Sequence, residues 1–189
     1  TGNPVRSSLL HGDAAAARRR WGFSADLPLL YVTGGARGAS PLNQRVAALL
    51  PALLETCQML HQTGPDSANA DRAGLLAARD NWPDHLRARC QVVEFVRDGL
   101  ADVYAACDLI LGRAGAGTVA ELAVLGIPSI LVPLPGAGGD EQTRNARLLA
   151  DAGGTVLLPQ SEATPERLRA EIAALLESPD RRSHMAAAA

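Results

Sequence analysis

Positions 109–122 read Leu-Ile-Leu-Gly-Arg-Ala-Gly-Ala-Gly-Thr-Val-Ala-Glu-Leu, an apolar run, a glycine turn and the opening of a helix. A strand that feeds a helix through small residues presents the first, unpaired N–H groups of that helix to an anion such as phosphate. Gly115, Ala116 and Gly117 keep side chains out of the way, and Thr118 adds a hydroxyl. Glu121 lies about one helical turn further on if the helix opens near Gly117. There its carboxylate can accept from two adjacent hydroxyls, as on a ribose. The helix terminus favours a diphosphate by roughly 0.3 to 2 kcal/mol. A hydrogen bond to a charged group contributes about 1.5 to 3 kcal/mol, so Glu121 can rival the whole dipole. Phosphate beside a diol points to a nucleotide-sugar ligand. The plainer alternative is a Glu that decorates an exposed helix face.

Two further turns are candidates for the same ligand. Gly34-Gly35-Ala36-Arg37-Gly38-Ala39 follows the apolar run 29–33 and precedes helical spacing over 41–56. Its glycines allow close backbone approach. The spacing is neither that of a dinucleotide turn nor that of a P-loop, and a tight strand-to-helix connection explains it equally well. The third, Pro133-Leu-Pro-Gly136 through Gly139-Asp140-Glu141-Gln142-Thr-Arg-Asn145, places a flexible loop before a helix. Asp140 is expected to cap that helix, with Gln142 and Asn145 on one face, where their amides suit sugar hydroxyls. An ordinary cap with a solvated first turn is the alternative.

The elements that must position these turns alternate. A polar helix over 13–20 is capped by Asp13 and ends near Gly22. Strands are expected at 29–33, 58–62, 90–95, 108–111, 129–133 and 155–158, with helices at 41–56, 69–80, around 100–107, from Gly117, from about Asp140 and over 165–177. Residues 178–189 read as a helix stop and an Ala-rich end without function. Such a rhythm implies an α/β fold, a Rossmann-like, doubly wound parallel sheet of about six strands with helices on both faces. Ligands then bind outside the carboxyl ends of the strands, where the glycine turns fall.

The 189 residues are expected to form one domain, with 47% hydrophobic and 20% charged residues placing the chain among globular proteins. The apolar runs are too short to span a bilayer and no signal-peptide pattern opens the chain, so a cytoplasmic location is expected. All 18 basic residues are Arg and the net charge is −2, which disfavours a nucleic-acid partner. Arg18-Arg19-Arg20 reads as a solvated helix face. Cys57, Cys90 and Cys107 are scattered in apolar segments and read as small buried hydrophobes. The four histidines, His11, His61, His85 and His184, form no ligand cluster, so no metal is expected, and no nucleophile elbow occurs. His61, at a strand end, reads as hydrogen-bonded rather than catalytic.

The motifs occur together in a characteristic order. Thr1-Gly-Asn-Pro-Val-Arg6, Gly34 to Ala39, His61-Gln-Thr-Gly64, Phe95-Val96, Arg113 to Glu121, Pro128-Ser-Ile-Leu-Val-Pro133 and Asp140 to Ala146 resemble the C-terminal half of the MurG-like bacterial UDP-N-acetylglucosamine transferases. The resemblance runs from Thr1 to about Leu176. It implies the donor-binding domain of a GT-B glycosyltransferase that adds N-acetylglucosamine to lipid I, giving lipid II for peptidoglycan, with inversion and without metal or other cofactor.

By that resemblance Arg6 and the Val96 backbone face uracil, and Glu121 the ribose. The turn Gly115, Ala116, Gly117, Thr118 holds the diphosphate, Gln142 and Asn145 contact the sugar, and Gly35, Ala36 and Arg37 belong to the same UDP-N-acetylglucosamine site. Two motifs depart from the family's pattern. Ala36 replaces its usual Ser and Arg37 its usual Gln, so Arg37 is the candidate to supply the missing phosphate contact. Glu141 stands where a different polar residue is usual, leaving Gln142 in place. The resemblance further implies an N-terminal domain, outside this chain, that binds the lipid-linked acceptor and carries the base. No catalytic residue is then expected here, and the chain alone should bind donor without transferring sugar. The parent would sit peripherally on the cytoplasmic face of the inner membrane. The alternatives are the donor domain of another UDP-sugar GT-B enzyme, such as a glycolipid glycosyltransferase or a UDP-N-acetylglucosamine 2-epimerase, and a non-catalytic donor-binding subunit.

Overall fold

The computed structural model describes residues 3–68, 70–136 and 138–189. Its centre is one six-stranded sheet of β1 (Leu29–Thr33), β2 (Gln58–Gln62), β3 (Cys90–Val93), β4 (Leu109–Gly112), β5 (Ser129–Leu131) and β6 (Thr155–Leu157). The order is β3-β2-β1-β4-β5-β6 and every pairing is parallel. This is the Rossmann-like sheet that the alternating pattern implies. The central strands β1, β2 and β4 are buried throughout, which explains why they read as unbroken apolar runs instead of alternating ones.

Helices cover both faces. Alternate residues of β1 separate the two cores. Leu30 and Val32 pack with α2 (Ser40–Ala47), α3 (Asp71–Arg79), α4 (Asp84–Ala88), α8 (Pro165–Leu176) and α9 (Pro179–Ala188). Leu29 and Tyr31 pack with α1 (Ala14–Trp21), α5 (Leu100–Ala106), α6 (Ala116–Leu125) and α7 (Glu141–Ala152).

Helix α1 begins and ends as its sequence implies. Asp13 accepts from the amides of Ala15 and Ala16, and Gly22 turns left-handed at φ 71°.

Several boundaries differ from the expectation. The helix expected over 41–56 stops at Ala47 and gives way to a 3-10 turn at Ala52–Glu55. Pro51 lacks an N–H and disfavours helical geometry in the residue before it, so the apolar spacing alone could not carry the helix through. Strand β3 ends at Val93, short of Phe95, and β5 at Leu131, short of Pro133, although single backbone bonds such as Gly64 N to Glu94 O carry the contact slightly further. The expected start at Asn69 lies outside the described residues. The segment after α3 forms the additional short helix α4.

The tail over 178–189 is a helix and not a loose end. Ser178 caps it by accepting from Arg181 N, Pro179 takes its first turn, and Met185 is buried against α8. Arg182 donates to the carbonyls of Leu175 and Leu176 and lies 3.7 Å from Asp108, which also accepts from Leu29 N.

Neighbouring residues of β2 point to opposite faces. His61 enters the α2 side, fully buried, with Nε2 3.0 Å from Asn43 Oδ1. Asn43 Nδ2 donates to Thr63 O at 2.9 Å and to Asp71 Oδ2 at 2.8 Å, so the orientation of its amide is determined. His61 Nε2 must then be the protonated nitrogen and the ring neutral, while Nδ1 has no partner. Burial pushes its pKa down from 6.5 to about 4, against the opposing pull of the Asp71 charge.

The unfolded chain takes up this proton near 6.5 and the folded chain only near 4. The contribution is therefore complete above about pH 6.5 and is lost as the pH falls towards 4. Urea unfolding should show the wild type losing roughly 2 to 3 kcal/mol more than His61→Gln between pH 7 and pH 4.5. Equal losses in both proteins would refute the assignment.

Candidate functional site

Strands β1 and β4 lie side by side with Thr33 opposite Gly112, yet the chain leaves them in opposite directions across the sheet. At such a switch point the two following turns separate and leave a crevice. A cleft of about 520 Å³ opens there. Gly34 to Pro41 form one wall, Gly115, Gly117 and Thr118 a second, and Leu134 and Gln142 a third. All three turns singled out in the sequence meet in this space.

The glycines are required for different reasons. A Cβ on Gly34 would lie 2.4 Å from Ala39 N, and Gly38, at φ +71°, packs on Thr63 O. These two let the turn fold tightly. Gly115 has an ordinary φ of −63°, and a Cβ there would meet nothing within 4 Å. Its missing side chain leaves room over the first turn of α6.

Helices α2, α6 and α7 start at this cleft, and none has a side-chain cap. Helices α3, α4 and α5 are also uncapped, so it is the convergence of three positive termini that marks the site. The expected cap at Asp140 is not made. Asp140 occupies the N-cap position at φ 62°, in the left-handed region, and its side chain does not bond the helix. The preceding Gly139 is also left-handed, so the backbone rather than the carboxylate sets how α7 enters.

Arg113 forms the floor. It is 6% exposed and donates to Val132 O at 3.0 Å, Pro133 O at 3.1 Å and Gln160 Oε1 at 2.6 Å. Its partners are neutral oxygens, and burial, together with the Arg45 charge, pushes its pKa down to about 10. A buried cation held only by neutral groups stabilises an anion placed in the same cleft.

The expected site residues fall into two groups. Gly35, Ala36, Arg37, Gly115, Gly117, Thr118 and Gln142 line the cleft, with Ala36 and Arg37 exposed at its mouth. Gln142 Oε1 accepts from Leu134 N at 3.0 Å, which leaves its amino end to serve as a donor. Ala116 is exposed as the first residue of α6 but does not line the cleft. Asn145 is set back, its Nδ2 donating to Ala114 O at 3.2 Å, so it pins α7 to the β4 turn.

The second group surrounds the far side of α6. Glu121 is not an exposed decoration. Its side chain is 20% exposed, and Oε2 accepts from Tyr104 Oη at 2.8 Å. Burial and the Glu121 charge raise the Tyr104 pKa, keeping that hydroxyl a donor. Arg6 is exposed, with its guanidinium 4.0 Å from Glu121 Oε1. The Val96 N–H donates to Gln62 Oε1 at 2.8 Å and is therefore already engaged within the protein.

With this geometry in view, the similarities are specific. Residues 29–189 match the glycosyltransferase family 28 C-terminal domain. The chain belongs to that family. It is 42% identical over 190 residues to a protein of Paenarthrobacter aurescens (strain TC1) named UDP-N-acetylglucosamine--N-acetylmuramyl-(pentapeptide) pyrophosphoryl-undecaprenol N-acetylglucosamine transferase, covering 98% of this chain and 48% of that protein. A protein of the same name from Anaeromyxobacter sp. (strain K) is 41% identical over 191 residues, covering 100% and 46%. The crystal structure of Acinetobacter baumannii MurG matches with a TM-score of 0.72 at 34% identity, covering 100% of this chain and 51% of that one. The chain thus spans about half the length of the curated relatives it matches.

The cleft and its surroundings also contain residues to which sequence reasoning gave no role. Arg113 stood in plain view at the end of a strand, where a lone Arg in an apolar context signals a buried charge. Tyr104 carried no local signal, and Gln62 stood within the His61-Gln-Thr-Gly64 motif without a role, because each contacts residues distant in sequence.

The open space at Gly115 supplies a test. Gly115→Ala should leave Tm within about 2 °C, since its backbone is one Ala adopts freely. Calorimetric titration should show UDP binding weakened by roughly tenfold, the cost of a methyl group crowding the helix terminus. Unchanged affinity would remove Gly115 from the anion site.

Proposed function

We propose that this chain is the donor-binding domain of a UDP-N-acetylglucosamine transferase whose acceptor is a lipid-linked muramoyl sugar, the reaction that makes lipid II for peptidoglycan. The observation that carries the reading is the meeting of three uncapped helix termini and Arg113 in one cleft, with Glu121 one helical turn along α6. The names of the relatives, about half of whose length this chain matches, favour the same donor.

In this reading the diphosphate lies over the first turns of α6 and α2, with Arg113 beneath and Arg37 at the mouth. Glu121, oriented by Tyr104, accepts from the ribose diol. Arg6 and the Val96 carbonyl face the uracil, and Gln142 donates to the sugar. Asn145 acts one step back by holding α7 in place.

The acceptor's 4-hydroxyl attacks the anomeric carbon from the face opposite the diphosphate, and the bond to UDP breaks with inversion. Negative charge grows on the departing diphosphate, where the helix termini and Arg113 stabilise it without reorganising and without a metal ion. The proton of the attacking hydroxyl passes to a base in an N-terminal domain, which also holds the lipid-linked acceptor. One wall of a two-domain cleft cannot orient both substrates or exclude water. This chain alone therefore folds as a single domain, binds donor and transfers no sugar. Among the described residues no helix is long and apolar enough to cross a membrane, and the parent meets its lipid substrate peripherally, at the cytoplasmic face.

Calorimetry with UDP-N-acetylglucosamine, UDP and UMP tests the reading, which fails if no saturable binding is seen for any of them. Glu121→Ala should weaken UDP by about ten- to a hundredfold, from the loss of hydrogen bonds to a charged group. The same variant should bind 2′,3′-dideoxy-UDP about as well as wild type does. Equal losses for both ligands would exclude a ribose role.

A further inference from the structure

Gln62 is the last residue of β2 and is 8% exposed. Strand alternation sends its side chain to the face opposite His61, beneath the turn after β1 and beside the segment leading to α5. Its Oε1 accepts from Val96 N at 2.8 Å and from Tyr31 Oη at 3.2 Å. Its Nε2 donates to Thr33 Oγ1 at 3.1 Å and to Gly35 O at 3.5 Å. A backbone N–H can only donate, so the Val96 contact establishes which end of the amide is oxygen. All four hydrogen-bonding capacities of this buried group are used.

The partners belong to two different parts of the cleft's surroundings. Val96 lies in the connection from β3 to α5, whereas Gly35 lies in the glycine turn from β1 to α2 and lines the cleft. Thr33 closes the link, since its hydroxyl receives both Gln62 Nε2 and Gly35 N–H. Thr33 also stands directly opposite Gln62 in the β1–β2 register. A saturated amide in a low-dielectric site cannot shift without breaking several bonds at once. The separation between the two loops is therefore set by one rigid group.

We propose that Gln62 is a positioning residue that couples the nucleobase end of the donor site to its diphosphate end. It holds the Val96 backbone and the Gly35 turn at the spacing one nucleoside diphosphate requires. The inference rests on the donor reading above. A purely structural glutamine would weaken every ligand alike when removed, whereas a coupling glutamine changes which ligands are preferred.

The test compares the unaltered chain with Gln62→Leu and Thr33→Val, using UDP, CDP and UMP as probes in calorimetry. Amide hydrogen exchange of the ligand-free proteins is measured beside it. Gln62→Leu should lower both the preference for UDP over CDP and the preference for UDP over UMP by about fivefold, the worth of roughly one hydrogen bond. Protection of the Val96 amide should fall with them. Thr33→Val removes the hydroxyl that receives Gln62 Nε2 and Gly35 N–H and leaves only the long 3.5 Å bond to Gly35 O, so it should reduce the UDP-over-UMP preference while leaving Val96 protected and the UDP-over-CDP preference intact. If Gln62→Leu does not fold, the split seen with Thr33→Val still decides. Uniform losses across the three nucleotides, or a Val96 amide still protected in Gln62→Leu, would overturn the coupling while leaving the donor reading intact. Failure of the unaltered chain to bind UDP would overturn both.

Discussion

The parallel pairing of β1 with β4 is the contact on which the site depends, because it seats Thr33 beside Gly112 and so brings two distant turns to one edge of the sheet. A Cβ on Gly112 would sit 3.1 Å from Thr33 O, so this close seating favours glycine. From β1 the chain moves to β2 and β3 on one side, and from β4 to β5 and β6 on the other. Right-handed crossovers then place the helices after β1 and β4 on opposite faces, with their N-termini flanking a crevice. Among the described residues the walls of the cleft are the glycine turn after β1 and the starts of α2, α6 and α7, with Leu134 beside them.

Electrostatics gives that crevice its character. Three uncapped termini and the buried Arg113 all present positive potential to the same space, in surroundings drier than water. Each terminus contributes only about 0.3 to 2 kcal/mol towards an anion, so no one of them defines a site. Their convergence does. Glu121 would repel a diphosphate if it shared this cleft, but α6 carries it one turn further on, and Tyr104 pulls the carboxylate aside. The same helix thus carries positive potential at its start and a carboxylate about one turn on, the charge pattern that the proposed nucleotide ligand calls for.

Strand β2 supports the arrangement from both faces. His61 reaches Asn43 at the start of α2, and Asn43 reaches Asp71 at the start of α3. Gln62, the next residue, reaches the other way to Tyr31, Val96 and the glycine turn. Tyr31 meets Tyr104 edge to face at 6.1 Å, so the layer under the glycine turn continues to the partner of Glu121. Buried polar groups are costly unless satisfied, and here the satisfied amides connect the loops that line or flank the cleft. His-Gln-Thr-Gly therefore reads as the joint between two packed layers.

The sequence by itself determined the alternation of strands and helices, the glycine turns, and the cap and stop of α1, because these are written in short-range chemistry: apolar runs, backbone freedom and side chains that reach two or three residues away. The Ser178-Pro179 start of α9 reads instead as a stop, because the same Ser-Pro pair that ends α8 also caps the next helix, and the Ala-rich residues beyond it resemble a loose end until Met185 and Arg182 are seen to pack. Periodicity overran Pro51 because it registers burial and not the missing N–H. Only the tertiary structure decided that the three turns share one cleft, that Asp140 enters its helix by backbone geometry, that Asn145 braces Ala114, and that Glu121 has Tyr104 for a partner. Those contacts join residues 17 to more than 80 positions apart. Their energies depend on strand order and side-chain direction, and neither is encoded in any local stretch of chain.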